Sequence, residues 1–135
     1  LHASFEQAKE ALRLGRVYYP QQLVFDYQRM LMPRFISELS PEMAARYHYL
    51  LFNANNAKQL TDELLETANM YFEKDLNLSD TARQLYIHRN TLTYRLEKIA
   101  KITGLDLRHF DDAVTFRMLY EIKKRLPEVA SDQIC

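Results

Sequence analysis

The chain has 135 residues, 47% of them hydrophobic, enough for one ordinary domain or a domain with an appendage built on a real core. Two glycines and four prolines argue against a mostly β or loop-rich fold, and helix-forming residues dominate, so the expected class is all-α. Eighteen basic residues balance eighteen acidic ones, which excludes a uniformly basic binder and leaves the distribution of charge to decide what the chain can meet.

In chain order, Phe5, Ala8 and Leu12 have helical spacing, and Gly15 offers a stop for a short amphipathic helix. The following VYYPQQLVFDY is rich in aromatic and β-branched residues and reads as a strand or an extended connector. Asp26 to Leu39 is helical in pattern, but Pro33 would clash inside a helix, so a break near Met32 and a new turn from Pro33 are expected. Ser40-Pro41-Glu42 combines a capping hydroxyl, a proline at the first helical position and an acid in the first turn; that helix should run to about Phe52, with NANNAK as the loop beyond. Thr61, Asp62 and Glu63 open a helix through Glu73 that buries Leu64, Leu65, Ala68 and Phe72.

Residues 79–99, SDTARQLYIHRNTLTYRLEKI, hold the chemistry. Ser79 is placed to cap a first short helix, Asp80 suits its positive end, small Ala82 permits close approach of a partner helix, and Leu85 and Ile87 point to the shared core. From Arg89 a second helix repeats Leu92, Leu96, Ile99 and Thr103 at spacings of four, three and four, one buried stripe. The opposite stripe then holds Asn90, Thr91, Tyr94, Arg95 and Lys98, with Arg89 at the start. Two such helices joined by a tight turn form a helix-turn-helix. Arginine forks onto guanine or phosphate, asparagine pairs with adenine, and threonine and tyrosine hydroxyls hold phosphates.

Arg89, Asn90, Thr91 and Tyr94 are therefore the candidates for reading bases, and Arg95 and Lys98 for gripping the backbone. Ser79 and Thr81 at the head of the first helix, and His88 at the turn as a cap or phosphate contact, complete the candidate DNA-contacting set. Tyr86 occupies the turn position that often holds glycine. A positive φ there would cost an aromatic residue on the order of 1 kcal/mol or more, so a different turn geometry is expected, with tolerated strain as the alternative.

After the second helix Gly104 is a stop, with Leu105 folding back on the last turn. A final helix should run from about Arg108 to Leu126, acids Asp111 and Asp112 early and Lys123, Lys124 and Arg125 late, ended by Pro127. Phe110, Val114, Met118 and Ile122 form its core stripe, which Phe116, Leu119 and Tyr120 widen, with a dimer contact as the lesser reading of that face.

Charge is concentrated on the motif. Residues 79–104 carry Arg83, Arg89, Arg95, Lys98 and Lys101 against Asp80 and Glu97, net +3, while the segments before and after are net −2 and −1. Catalysis finds no constellation: His109 and Asp112 are a lone i, i+3 pair, His2 and His48 lack partners at ligand spacing, and there is no glycine-rich phosphate loop. Cys135, the sole cysteine, can close no internal disulfide. No enzyme activity, metal or cofactor is expected.

LNLSDTARQLYIHRNTLTYRLEKIAKITGLDLRHFDDAVTFRMLY, residues 76–120, resembles the C-terminal helix-turn-helix of the PucR and CdaR (sugar diacid regulator) transcription factors, most specifically in HRNTLTYRLEKI. More weakly it resembles the Fis nucleoid protein, although Thr93 and Tyr94 stand where that protein has basic residues. The resemblance implies an all-α helical domain with a Fis-like helix-turn-helix followed by a long C-terminal helix, and supports Arg89, Thr91 and Arg95 as DNA contacts. It implies a part of a bacterial transcription regulator that binds double-stranded DNA, a homodimer in the full-length protein, and a sugar diacid effector bound outside this fragment.

The start SFEQAKEALRLGR resembles the tail of the α/β domain that precedes the DNA-binding part in that family, and Leu1 in place of methionine suggests a protein that extends upstream. The expected organisation is residues 1–25 as a remnant of that domain or a linker, 26–60 as a helical connecting region, 61–128 as the DNA-binding domain and 129–135 as a tail. With no apolar run long enough to span a bilayer and no secretory leader, a cytoplasmic location without membrane contact is expected. The rival reading is a helical protein-protein interaction module with no direct DNA contact.

Overall fold

The computed structural model describes residues 2–19 and 30–134, with side chains described from residue 4 to residue 126. Among the described residues the structure is eight helices and no strand. They are α1 (His2–Tyr18), α2 (Leu31–Ser37), α3 (Pro41–Phe52), α4 (Ala54–Gln59), α5 (Asp62–Glu73), α6 (Leu78–Gln84), α7 (Arg89–Thr103) and α8 (Phe110–Ile134). The chain divides into two compact units, residues 1–49 with 118–135, and residues 50–117. The stretch read as a strand or connector lies mostly at residues 20–29, outside the described residues.

In the first unit, Ala11, Leu14 and Tyr18 of α1 join Met30, Ile36, Ala44 and Ile122 in one buried cluster. This corrects the face and the end expected of α1. Phe5 and Leu12 are exposed, and the helix passes through Gly15, whose carbonyl accepts from Tyr19 N at 2.8 Å. Glycine inside a helix costs up to about 1 kcal/mol, less than the burial of Tyr18 contributes by anchoring the final turn. Pro33 falls in the first turn of α2, which begins at Leu31; its missing N–H is unneeded there, so no break is required after Met32. Ser40 caps α3 as expected, its Oγ accepting from Met43 N at 3.2 Å.

The second unit holds the motif. NANNAK is a helix, contrary to expectation, because Asn53 accepts from Asn56 N at 2.9 Å and the buried Asn56 amide donates to Leu51 O at 3.2 Å. Thr61 caps α5 through Leu64 N, and Leu64, Leu65, Thr67, Ala68 and Tyr71 are buried, Phe72 only partly. Asn77 rather than Ser79 caps α6, accepting from Asp80 N at 3.0 Å; the helix thus starts one residue before Ser79, where an asparagine is as good a cap as a serine.

Helices α5, α6 and α7 pack on one another, with Leu92, Leu96 and Ile99 of α7 fully buried as expected and Thr103 half-buried. Gly104 takes φ 78° and ends α7, a left-handed position that glycine occupies without penalty. Phe116 of α8 is fully buried, its ring centroid 6.0 Å from that of Phe72. Phe110 is 72% exposed, so the stripe buried at the head of α8 is Ala113 and Phe116, not Phe110 and Val114. Nor does Pro127 end α8, which continues to Ile134; a proline removes one hydrogen bond and bends a helix without forbidding the turns after it.

The loop between α7 and α8 is held by Asp106. Its carboxylate accepts from Arg108 Nε and Nη2, each at 2.9 Å, and from Arg108 N at 3.0 Å. The Arg108 side chain holds its pKa down at about 2, against the partial burial that would raise it, with the Arg108 backbone N–H assisting. A folded pKa below the unfolded 3.8 means that this stabilisation is fully present above pH 4 and lost as pH falls toward 2. After allowance for solvent screening, Asp106→Asn is expected to cost about 1 kcal/mol at pH 7 and close to nothing at pH 2 in urea unfolding. An equal loss at both pH values would count against it.

Candidate nucleic-acid interface

Between α6 and α7 the chain turns in four residues, Leu85, Tyr86, Ile87 and His88. Ile87 N donates to Ala82 O at 3.0 Å and Tyr86 N to Arg83 O at 3.2 Å, the pairing that satisfies the last carbonyls of α6 and needs a left-handed residue at Tyr86. Tyr86 takes φ 56°, so the turn does have a positive φ and the expected alternative geometry is overturned. Ile87 and Leu85 are half-buried against the angle and Ala82 is 5% exposed where the helices meet.

His88 caps α7, its Nδ1 accepting from Asn90 N at 3.0 Å. The capping nitrogen accepts, and the rest of the ring is exposed. Arg89, Asn90, Thr91, Tyr94 and Lys98 are all exposed, Tyr94 at 63%, and form one outward stripe along α7. Arg89 and Lys98 form no ion pair among the described residues, whereas Arg83 is paired with Asp80 at 3.3 Å. Beside the stripe a groove of about 310 Å³ is lined by Gln59 of α4 and by Tyr94, Glu97, Lys98, Lys101 and Ile102.

Two residues of the expected set lie elsewhere. Thr81 is fully buried and its hydroxyl donates to Asn77 O at 2.6 Å, so it is closed to a duplex; a first-turn residue on the inner face of α6 packs against α7. Arg95 is not part of the outward stripe. Its side chain is 19% exposed, with Nη1 donating to Thr67 Oγ1 at 3.2 Å and Nη2 lying 3.5 Å from Glu63 Oε2. It ties α7 to α5. Position 95 borders the Leu92–Leu96 seam, where periodicity cannot separate an outward side chain from one lying along a neighbour. Ser79 is exposed at the head of α6. For Asn77 the sequence carries a signal, a capping residue three positions before Asp80, and for Thr67 and Glu63 as partners of Arg95 it carries no local one.

A helix with one exposed polar face, joined to α6 by a four-residue turn and packed on α5 and α6, defines a helix-turn-helix domain. Residues 64–122 match the family model of the PucR C-terminal helix-turn-helix domain, and that segment is a domain of this type. The chain is 28% identical over 122 residues to the purine catabolism regulatory protein of Bacillus subtilis, covering 90% of this chain and 23% of that protein. It is 32% identical over 130 residues to the carbohydrate diacid regulator of Escherichia coli, covering 93% of this chain and 31% of that protein. It thus spans a quarter to a third of the length of these relatives. The crystal structure of a regulator of polyketide synthase expression from Bifidobacterium adolescentis shares the fold, with TM-score 0.54 and 19% identity over 82% of this chain and 47% of that one. No helix among the described residues is long and apolar enough to cross a membrane.

Proposed function

We propose that residues 61–128 are the sequence-specific DNA-binding domain of a transcription regulator, with α7 entering the major groove of a duplex. Arg89, Asn90, Thr91 and Tyr94 read base edges from the first half of the helix, and Lys98 holds the phosphates alongside, with Ser79 and His88 flanking them. Arg95 acts from behind by fixing the pitch of α7 against α5. The observation that carries this reading is the exposed stripe of Arg89, Asn90, Thr91, Tyr94 and Lys98 on a helix whose other face buries Leu92, Leu96 and Ile99.

Residues 1–25 are then a remnant of a preceding α/β domain or a linker, and residues 26–60 a helical connecting region. Similarity to the carbohydrate diacid regulator supports a role in sugar diacid use, the effector binding outside this chain, in a cytoplasmic homodimer that meets a two-fold operator.

The test is fluorescence anisotropy of the chain against random-sequence and upstream-regulatory duplexes over a salt series. Three to five phosphate contacts per protomer predict that log affinity falls against log salt with a slope of roughly −3 to −4.5. A folded sample that binds neither duplex at low salt, or binds with no salt dependence, would sink the reading in favour of a protein partner.

A further inference from the structure

Three helix ends in the second unit use a left-handed residue, and the identities differ in a telling way. Gly104 carries no strain at φ 78°, and Asp75, at φ 54°, is a short polar residue of the kind that tolerates this region. Leu76, at φ 62°, is apolar but partly buried, so its side chain contributes packing in return. Tyr86 has neither excuse. It is aromatic, it holds φ 56°, and its side chain is 93% exposed, so the fold gains almost nothing from the ring. A glycine at the same place would make the same two turn hydrogen bonds, Tyr86 N to Arg83 O and Ile87 N to Ala82 O, because both use backbone alone.

Strain kept at an exposed residue that packs nothing points to use of the side chain outside the fold. Tyr86 stands two residues before the His88 cap and three before Arg89, so its ring leaves the surface at the head of α7. A phenol there offers a hydroxyl that can donate to a phosphate oxygen and a flat face that can lie on a deoxyribose.

We infer that Tyr86 is a DNA-contacting residue of this domain, its hydroxyl on a backbone phosphate beside the bases met by Arg89 and its ring against the adjoining sugar. The inference rests on the DNA-binding reading above. The left-handed turn aims the ring away from its own domain, and the strained backbone is what gives it that direction. The contact is electrically neutral, so it adds affinity without adding to counterion release.

The experiment compares the 135-residue chain with Tyr86→Gly and Tyr86→Phe, in urea unfolding and in anisotropy titrations with a random-sequence duplex over a salt series. Tyr86→Gly is expected to leave the unfolding midpoint unchanged or raise it, yet weaken binding about 5- to 20-fold with the salt slope unchanged. Tyr86→Phe, which keeps the ring and loses the hydroxyl, should fall between the two. The opposed directions of stability and affinity are the signature, because a residue with a merely structural role moves both together. Tyr86→Gly binding like the parent overturns the inference while leaving the DNA reading intact, and so does a Tyr86→Gly that loses stability along with affinity. A parent chain that binds no duplex overturns the DNA reading and this inference with it.

Discussion

Arg89→Ala is expected to weaken binding to a cognate duplex by about 1–3 kcal/mol, roughly 5- to 150-fold, and to weaken binding to random sequence far less. The reason is geometric. Arg89 is the first residue of α7, exposed and without an ion pair among the described residues, so its guanidinium costs little to redirect toward a guanine edge. Truncation also removes no packing, and the unfolding midpoint should stay within about 0.5 kcal/mol of the parent. Lys98→Ala makes the contrasting case: a phosphate contact should weaken all sequences about equally and reduce the salt slope by about one. Equal losses on cognate and random duplexes for Arg89→Ala would show that this side chain grips the backbone and does not read sequence.

Phe116→Ala is expected to have the largest effect on stability, about 3–5 kcal/mol, because it removes a fully buried ring and leaves a cavity beside Phe72. A domain of this size has only about 5–15 kcal/mol in total, so much of its margin would go. Phe116→Leu, which fills most of the space, should cost less than half as much. Urea unfolding of both variants gives the answer, and a Phe116→Ala loss below about 1 kcal/mol would mean that the site collapses to fill the void. DNA affinity measured well below the unfolding midpoint should be nearly unchanged for Phe116→Leu, since no atom of this residue reaches the surface.

Several local signals suffice by themselves. Ser40 and Thr61 cap the helices they precede, Gly104 stops α7, and Leu92, Leu96 and Ile99 fall on one buried stripe. Each depends on a side chain bonding a backbone group three positions on, on the freedom of glycine at positive φ, or on the period of a single helix, and all three are written in adjacent residues. Where two local signals competed, the reading failed. Ser79 and Asn77 both suit an N-cap, and Asn77 wins. Gly15 and Tyr18 disagree over where α1 ends, and burial of the tyrosine prevails.

The sequence by itself determined the all-α class, the position of the helix-turn-helix and the side chains offered by the outer face of α7. These follow from propensity, capping and periodicity, whose range is one or two helical turns. Tertiary structure alone decided that Arg95 turns inward to Thr67, 28 residues away, and to Glu63, that Thr81 is sealed on the inner face of α6, and that Tyr86 accepts a left-handed backbone. For Arg95 the deciding contact comes from elsewhere in the fold, where α5 supplies the acceptors, and Thr81 lies on the face of α6 that is buried when the helices pack. An arginine on the edge of a buried seam has two directions open to it, and only the neighbour that arrives on folding selects one.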